Sequence, residues 1–233
     1  MNVFVTGTDT GVGKTMVCAT LLAALAARGC SAIGMKPVAS GCTQSADGLR
    51  NEDALALLEQ SAGQPSYQTV NPYALPAAVA PHLAAAEAGV QIELAPILAA
   101  FAALCTKAQC VVVEGVGGWA VPFAPALMQA DLVRALRLPV ILVVGLRLGC
   151  LNHASLSARA IASDGCDLIG WIGNRIDPTM ARAEENIATL REHLAAPCLG
   201  ILGHADARDP RALASQLAAA ARVISPAAYP PEP

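Results

Sequence analysis

A glycine-rich run that ends in Gly-Lys-Thr offers the clearest chemistry in the sequence. It reads G-T-D-T-G-V-G-K-T at positions 7–15, directly after a short apolar run and directly before an Ala- and Leu-rich segment. Glycines let the backbone curl so that successive N–H groups point at phosphate oxygens, and a helix N-terminus adds partial positive charge there. We expect Lys14 to reach the β- and γ-phosphates and Thr15 to offer its hydroxyl to Mg²⁺. The run therefore indicates a nucleoside triphosphate site.

The spacing of this loop differs by one residue from the common pattern G-x-x-x-x-G-K-[ST]. A strict match requires glycine where this chain has Thr8, and the first glycine here is Gly7. We expect Gly11 to ease the turn instead. The alternative is an ordinary glycine-rich turn that happens to end in Gly-Lys-Thr, and the flanking strand and helix patterns argue against it.

Carboxylates that could hold the metal occur at two places. Open parallel sheets gather their ligands at the carboxyl ends of strands, and the run C-V-V-V-E ends in Glu114, before the flexible turn G-V-G-G-W. Asp53 begins a helical segment that Asn51 can cap, and carboxylates at the start of a helix interact favourably with the helix dipole. The alternatives are a surface acid at Glu114 and a purely structural helix start at Asp53. Spacing alone does not choose Asp53 over Glu52 or Asp9 as a metal ligand.

The elements that must position these residues alternate along the chain. Short Val- and Ile-rich runs are followed by longer Ala- and Leu-rich segments, the pattern of parallel strands linked by crossover helices. Strands are predicted at 2–6, 32–37, 110–114, 140–145, 168–173 and 198–202. Helices are predicted at 14–27, 53–60, 94–107, 128–136, 152–164, 182–194 and 210–223. The predicted fold is α/β: a doubly wound, mostly parallel sheet with helices on both faces.

The length of the chain favours a single domain. Its 233 residues lie in the size range of one α/β domain, which we place at 1–224. The segment 62–90 contains four prolines and little periodicity, so we expect a long excursion within the domain, and long loops of this kind are often functional. The Pro-rich stretch 225–233 is expected to be a flexible tail.

Composition argues against several kinds of partner. A net charge of −3 with 3% aromatic residues offers neither a basic stripe for phosphate backbones nor rings for stacking bases, so we expect no nucleic acid. No apolar run reaches the length of a membrane span, and the start enters the glycine-rich loop at once, unlike a secretory signal. We expect a cytoplasmic protein without a membrane partner. The eight cysteines lack zinc or C-x-x-C spacing and are expected to pack as small hydrophobes.

Motifs spread over nearly the whole chain resemble those of the dethiobiotin synthetase family, which closes the ureido ring in biotin synthesis. They are the phosphate loop, K-P-V-A-S-G at 36–41, G-L-R-N at 48–51 with Asp53, V-N-P-Y at 70–73, E-G at 114–115 with G-G-W at 117–119, L-G-C-L-N-H at 148–153, and G-W at 170–171 with Asn174. The resemblance implies an ATP-dependent cyclo-ligase that uses Mg²⁺. It also implies a homodimer with its substrate site at the interface.

The family's reaction implies the partners and the site residues. Diaminopelargonic acid reacts with CO₂, supplied by bicarbonate, to give a carbamate that takes the γ-phosphoryl group of ATP, and the second amine then closes the ring and expels phosphate. ATP binding is implied for Thr10, Gly11, Val12, Gly13, Lys14, Thr15, Met16, Asp53, Glu114, Gly115, Gly117, Asn174 and Arg175. Metal binding is implied for Thr15, Asp53 and Glu114. Substrate binding is implied for Lys36, Ser40, Gly149, Cys150, Leu151 and Asn152.

Within these sets, the resemblance implies specific contacts and two catalytic residues, Lys14 and Lys36. Lys36 and Ser40 would hold the carbamate, and Asn174 would contact the adenine base. A lysine after a strand is otherwise typical of a solvated surface position. The chain departs from the family by reading G-I-L-G-H-A at 200–205, where a proline is common, which leaves the base contacts there open. It also has Gly11 where some relatives have Glu, a change that we expect to be tolerated.

Two other classes of protein share parts of this pattern. A regulatory ATPase of the partitioning or septum-placing type also has a deviant phosphate loop, but usually with an additional lysine early in the loop, where this chain has Gly7, Thr8 and Asp9. An amide ligase of cobalamin synthesis has a similar ATP-binding part, but it adds a glutaminase domain for which this chain is too short. The synthetase is the preferred interpretation.

Overall fold

The frame of the protein is a sheet of parallel strands, seen in a computed structural model that describes residues 1–204 and 209–226. The strands of this part of the chain are β1 (Val3–Gly7), β2 (Ala32–Met35), β3 (Val38–Ala39), β4 (Thr43–Ser45), β5 (Gly48–Arg50), β6 (Tyr73–Ala74), β7 (Cys110–Glu114), β8 (Pro122–Ala124), β9 (Leu127–Met128), β10 (Val140–Gly145), β11 (Leu168–Asn174) and β12 (Cys198–Leu202). The central sheet has the order β12-β11-β10-β1-β7-β2, with every neighbouring pair parallel. The remaining strands pair as short ribbons, β3 with β6, β4 with β5 and β8 with β9.

Helices cover both faces of the sheet. They are α1 (Lys14–Ala26), α2 (Glu52–Gln60), α3 (Tyr67–Val70), α4 (Pro81–Glu87), α5 (Leu94–Cys105), α6 (Gln129–Leu136), α7 (Cys150–Ser163), α8 (Ala183–His193), α9 (Pro210–Leu213) and α10 (Ala218–Ile224). One face of the sheet packs mainly on α5 to α8 and the other on α1 and α10. The predicted fold class is confirmed. None of the helices in the described residues is long and apolar enough to cross a membrane.

The strands read as unbroken apolar runs because both of their faces are buried. In β1, Phe4 belongs to one apolar core, while Val3 and Val5 belong to the core on the opposite face. In β7, Val111 and Val112 are divided between the two cores in the same way. This alternation is what a strand between two helical layers requires.

The predicted boundaries are right to within two residues for all six main strands and for the first six predicted helices. The prediction of one helix at 210–223 is wrong, because Ala214–Leu217 tightens into a 3-10 turn between α9 and α10. This turn packs so closely on β12 that a Cβ on Gly200 would lie 2.6 Å from the Gln216 carbonyl oxygen. Tertiary packing thus overrides the helical pattern there.

The excursion at 62–90 is more ordered than the sequence predicts. It contains α3, β6 and α4, and β6 pairs in parallel with β3, next to the end of β2. Of the predicted tail at 225–233, residues 227–233 lie outside the described part of the chain. The eight cysteines are free thiols, and five of them are buried, as expected for small hydrophobes.

The strand order decides where the candidate site lies. β7 lies between β1 and β2, so the carboxyl ends of these three strands are adjacent. The phosphate loop follows β1, Glu114 ends β7 and Lys36 follows β2. Residues that are far apart in the sequence therefore meet at one edge of the sheet.

Candidate active site

The loop between β1 and α1 has the backbone of an anion-binding turn. Gly11 and Gly13 have φ angles of 75° and 84°, the left-handed region that favours glycine. Gly13 is the N-cap residue of α1, and no side chain forms a capping hydrogen bond there. The first N–H groups of α1 are thus not taken by a capping side chain, as an anion site at a helix N-terminus requires.

Lys14 curls back over this loop. Its side chain is buried, and Nζ donates a hydrogen bond to the Asp9 carbonyl oxygen at 3.2 Å. Burial lowers the pKa of Lys14, and the charge of Lys36 lowers it further, while Glu114 and Asp53 oppose the shift. The ammonium group is held where the loop closes, in line with the predicted role toward phosphates.

Thr15 lies between two carboxylates that come from different elements. Its hydroxyl oxygen is 2.7 Å from Asp53 Oδ1, near the start of α2, and 2.9 Å from Glu114 Oε1, at the end of β7. Asn51 caps α2 by accepting a hydrogen bond from the Ala54 N–H at 3.2 Å, as predicted. The three residues predicted to hold the metal are thus brought together.

Lys36 joins this group from the end of β2. Its Nζ is 2.6 Å from Glu114 Oε1 and 2.8 Å from Asp53 Oδ2, and it donates to the Gly115 carbonyl oxygen at 3.2 Å. Burial alone would lower the pKa of Lys36, but the two carboxylates outweigh it and raise the pKa above its ordinary value. Lys36 is therefore a charged, buried lysine, and the solvated alternative is wrong.

Asp53 and Glu114 are likewise not ordinary surface acids. Glu114 is completely buried, which excludes the alternative of a surface carboxylate. Burial would raise the pKa of Asp53, but Lys36, the Thr15 hydroxyl and Lys14 together lower it. Both carboxylates thus face the same buried cation.

The donor set at this point fits a magnesium ion. Glu114 Oε2 is buried and has no hydrogen-bond partner among the described residues, and Mg²⁺ prefers hydroxyl and carboxylate oxygens. The described chain has no cluster of three or more His, Cys, Asp or Glu that could hold a metal alone. An ion here would thus have few protein ligands, which is usual for Mg²⁺ bound with phosphates.

The geometry also distinguishes the candidate acids that spacing left open. Asp9 is occupied elsewhere, since its Oδ1 accepts from the Thr10 N–H at 2.7 Å and its Oδ2 pairs with Arg147 at 2.7 Å. Glu52 is exposed at the start of α2. Asp53 is the acid that reaches Thr15 and Lys36.

Comparison with known proteins shows the family of the chain. A family model described as an AAA domain matches residues 1–211. The ATP-dependent dethiobiotin synthetase BioD of Xanthomonas euvesicatoria pv. vesicatoria (strain 85-10) is 65% identical over 197 residues, which are 84% of this chain and 88% of that protein. The protein of the same name from Xylella fastidiosa (strain 9a5c) is 62% identical over 201 residues, 86% of this chain and 89% of that one. The chain belongs to the dethiobiotin synthetase family.

Solved structures with a similar fold are more distant than these synthetases. The MinD cell division protein of Aquifex aeolicus superposes with a TM-score of 0.59 at 16% identity, covering 99% of both chains. The MinC:MinD complex of the same organism gives a TM-score of 0.60 at 17% identity, covering 100% of this chain and 98% of that one. At such low identity the likeness shows the fold alone. Family membership favours the ATP-dependent cyclo-ligase and not the regulatory ATPase.

Several other residues that the dethiobiotin synthetase resemblance implicates also lie around the phosphate loop. Asn174, at the end of β11, donates to the Val12 carbonyl oxygen at 2.9 Å, and a Cβ on Gly13 would be 2.1 Å from its Nδ2. A Cβ on Gly117 would be 3.6 Å from Thr10 Oγ1, so the turn after β7 lies against the loop. Position 13 therefore accepts only glycine while Asn174 keeps this place.

The implied substrate residues are less closely joined. Ser40 follows β3, and its carbonyl oxygen accepts from Asn51 Nδ2 at 3.4 Å. Cys150 begins α7, two residues earlier than predicted, and Leu148 just before it is 92% exposed. Within residues 1–204 and 209–226, no hydrogen bond or ion pair joins 149–152 to Lys36 or Ser40.

Sequence reasoning missed two contacts that shape the site. Arg147 pairs with Asp9 of the phosphate loop across 138 positions of sequence. Gln129, completely buried, accepts from the Val116 N–H at 2.8 Å and donates to the Gly118 carbonyl oxygen at 2.7 Å, so it holds the turn after Glu114. No local pattern marks either residue, because each acts through a partner from another element.

Proposed function

We propose that the chain is a dethiobiotin synthetase that uses ATP and Mg²⁺ to close the ureido ring of dethiobiotin from diaminopelargonic acid and CO₂. The single observation that supports it most is Lys36, a buried ammonium group 2.6 Å from Glu114 and 2.8 Å from Asp53 beside the phosphate loop. A second lysine at a phosphate loop suits an anionic nucleophile such as a carbamate. Phosphoryl transfer asks the protein mainly to position reactants and neutralise charge.

The proposed reaction begins with the formation of a carbamate. One amine of the substrate attacks CO₂ and loses a proton, and Lys36 and Ser40 hold the carbamate oxygens. A carbamate oxygen then attacks the γ-phosphorus, and the bond from that phosphorus to ADP breaks. Lys14 and the first N–H groups of α1 hold the phosphate oxygens while their charge shifts. Mg²⁺, held by Thr15, Asp53 and Glu114, would neutralise phosphate charge when bound.

Ring closure follows from the mixed anhydride. The second amine attacks the carbamoyl carbon, the carbon–oxygen bond to phosphate breaks, and the amine proton leaves. Phosphate departs with the oxygen that came from the carbamate. The products are dethiobiotin, ADP and phosphate in equal amounts.

The nucleotide is proposed to lie along the phosphate loop and the end of β11. Asn174 would contact the adenine base, and its bond to Val12 keeps it beside the loop. The remaining proposed ATP contacts are Thr10, Gly11, Gly13, Met16, Gly115, Gly117 and Arg175. We place this catalytic domain at 1–224 and the enzyme in the cytoplasm.

We propose a homodimer whose partner subunit completes the substrate site. The residues involved are Gly149, Cys150, Leu151 and Asn152. Support comes from Leu148, which is 92% exposed beside the start of α7, and from Gly149, an N-cap that adds no side-chain bond. A helix N-terminus suits a substrate carboxylate. Light scattering should give a dimer, and a monomer with full activity at assay concentration would contradict this arrangement.

An omission assay tests the proposed activity. The protein is mixed with MgATP, bicarbonate and diaminopelargonic acid, each is left out in turn, and phosphate and the urea product are followed, the latter by mass spectrometry. Phosphate release should require the diamine and CO₂ together. Steady ATP hydrolysis without the diamine, or no urea with all components present, would rule out the proposal. A regulatory ATPase would instead hydrolyse ATP at a rate that does not depend on the diamine.

A further inference from the structure

A chain of buried hydrogen bonds runs beneath the site from α2 to the end of β2. The Asn51 N–H donates to the Tyr67 hydroxyl oxygen at 2.8 Å, and that hydroxyl donates to Asn71 Oδ1 at 2.9 Å. Asn71 Nδ2 donates to the Lys36 carbonyl oxygen at 2.6 Å. Tyr67, Asn71 and Asn51 are all buried. We call these three residues the relay.

Each end of the relay fixes the backbone near a residue of the site. At one end, Asn51 caps α2 through the Ala54 N–H, and Asp53 is the second residue of that helix. At the other end, the Lys36 carbonyl is held by Asn71, while the Lys36 N–H donates to the Val70 carbonyl oxygen at 2.9 Å. Both backbone groups of Lys36 are therefore fixed by the excursion at 62–90.

We propose that Tyr67, Asn71 and Asn51 are positioning residues, which set Lys36 relative to Asp53 so that the substrate carbamate faces the metal-bound phosphate. The proposal rests on the proposed function. The Tyr67 hydroxyl is the centre of the relay, because it accepts one hydrogen bond and donates the other. The Tyr67 ring is also held from its face, since the Arg50 guanidinium lies 4.2 Å from the ring centre. Buried networks of this kind fix a single arrangement only while every member is satisfied.

The hydrogen bonds of the relay predict a larger effect on the diamine than on ATP. Among the described residues, none of its hydrogen bonds reaches the loop at 7–15. In Tyr67→Phe the Asn51 side chain still caps α2 through the Ala54 N–H, so Asp53 should keep its place beside Thr15. ATP affinity should then stay near the wild type, and the loss should fall on the diamine. This gives the excursion a function, namely to hold the end of β2 against the start of α2.

The test replaces one hydroxyl and compares it with a matched control. Tyr67→Phe removes the central hydroxyl. Tyr73→Phe removes a hydroxyl from the same excursion whose one hydrogen bond within the described chain is from the Glu93 N–H, at 3.1 Å. Tyr67→Phe should lower kcat/KM for the diamine about 10- to 100-fold, the scale of a small misplacement of reacting groups. ATP affinity by calorimetry should match the wild type, and Tyr73→Phe should keep full kcat/KM.

The outcomes separate the relay from a structural role and from the proposed function. If Tyr67→Phe and Tyr73→Phe lower the melting temperature by similar amounts and lose the same share of activity, the relay is only structural and the proposal is overturned. If Tyr67→Phe does not fold, Asn71→Ser breaks the relay at its Lys36 end, and the same split is expected. A wild-type protein that makes no urea overturns the proposed function and the relay with it. Urea from the wild type with unchanged kcat/KM in Tyr67→Phe overturns the relay alone.

Discussion

Replacing Lys36 by Met perturbs the ion pair on which the site is built. The Glu114 carboxylate, completely buried, would lose its ion-pair partner and, among the described residues, would keep one hydrogen-bond partner, the Thr15 hydroxyl at 2.9 Å. Leaving one member of a buried pair alone costs about 3–5 kcal/mol. The Asp53 side chain is 42% exposed, so solvent screens its share and we leave it out of this figure. We expect Lys36→Met to lower the free energy of unfolding by about that amount.

Scanning calorimetry measures this effect directly. In a domain of this size, 1 kcal/mol shifts Tm by about 2–4 °C, so Tm should fall by about 6–20 °C. The double variant Lys36→Met with Glu114→Gln serves as the control, because a neutral amide costs less to bury than an unpaired carboxylate. It should be more stable than Lys36→Met alone. A single variant that melts within about 1 °C of the wild type would refute the reasoning.

Three further predictions follow from other features of the structure. Lys14→Ala should weaken ATP binding and turnover together, whereas Lys36→Ala should abolish turnover with ATP affinity near the wild type, and equal loss of ATP binding in calorimetry would contradict the two roles. Burial raises the pKa of the Cys110 thiol to about 12. Iodoacetamide at pH 8 should therefore not alkylate Cys110 in the native protein, as measured by mass spectrometry. Rapid labelling of Cys110 would be inconsistent with the fold. Burial would raise the pKa of Asp53, but Lys36, the Thr15 hydroxyl and Lys14 together lower it. The stability that the ionised Asp53 carboxylate contributes is therefore complete above about pH 4 and is lost as pH falls through the lowered pKa. Urea unfolding midpoints should begin to fall near about pH 4, and a flat profile down to about pH 3 would count against this prediction.

The sequence predicts the elements well because their signals are local. Six apolar runs and their helices follow from periodicity, and the phosphate loop is a contiguous motif. The edge of the sheet at which Glu114, Lys36 and the loop meet follows from a general property of parallel strands. These parts need no knowledge of contacts between distant segments.

What the sequence does not predict depends on such contacts. The burial of Lys36 arises from a partner 78 positions away, so a lysine after a strand looks solvated until the neighbouring strand is known. The choice of Asp53 over Glu52 likewise depends on the direction that α2 gives each side chain. The order within the excursion at 62–90 comes from bonds to Lys36 and Asn51, which no periodicity within the excursion reveals.

The claim that a carbamate oxygen attacks the γ-phosphorus is tested most directly by oxygen transfer. The complete reaction is run for short times with ¹⁸O-labelled bicarbonate in unlabelled water, and the released phosphate is analysed by mass spectrometry. Each phosphate should carry one ¹⁸O, because the carbon–oxygen bond breaks when the ring closes and the oxygen leaves with phosphorus. Phosphate without the label, formed at the same rate as the urea product, would contradict the account.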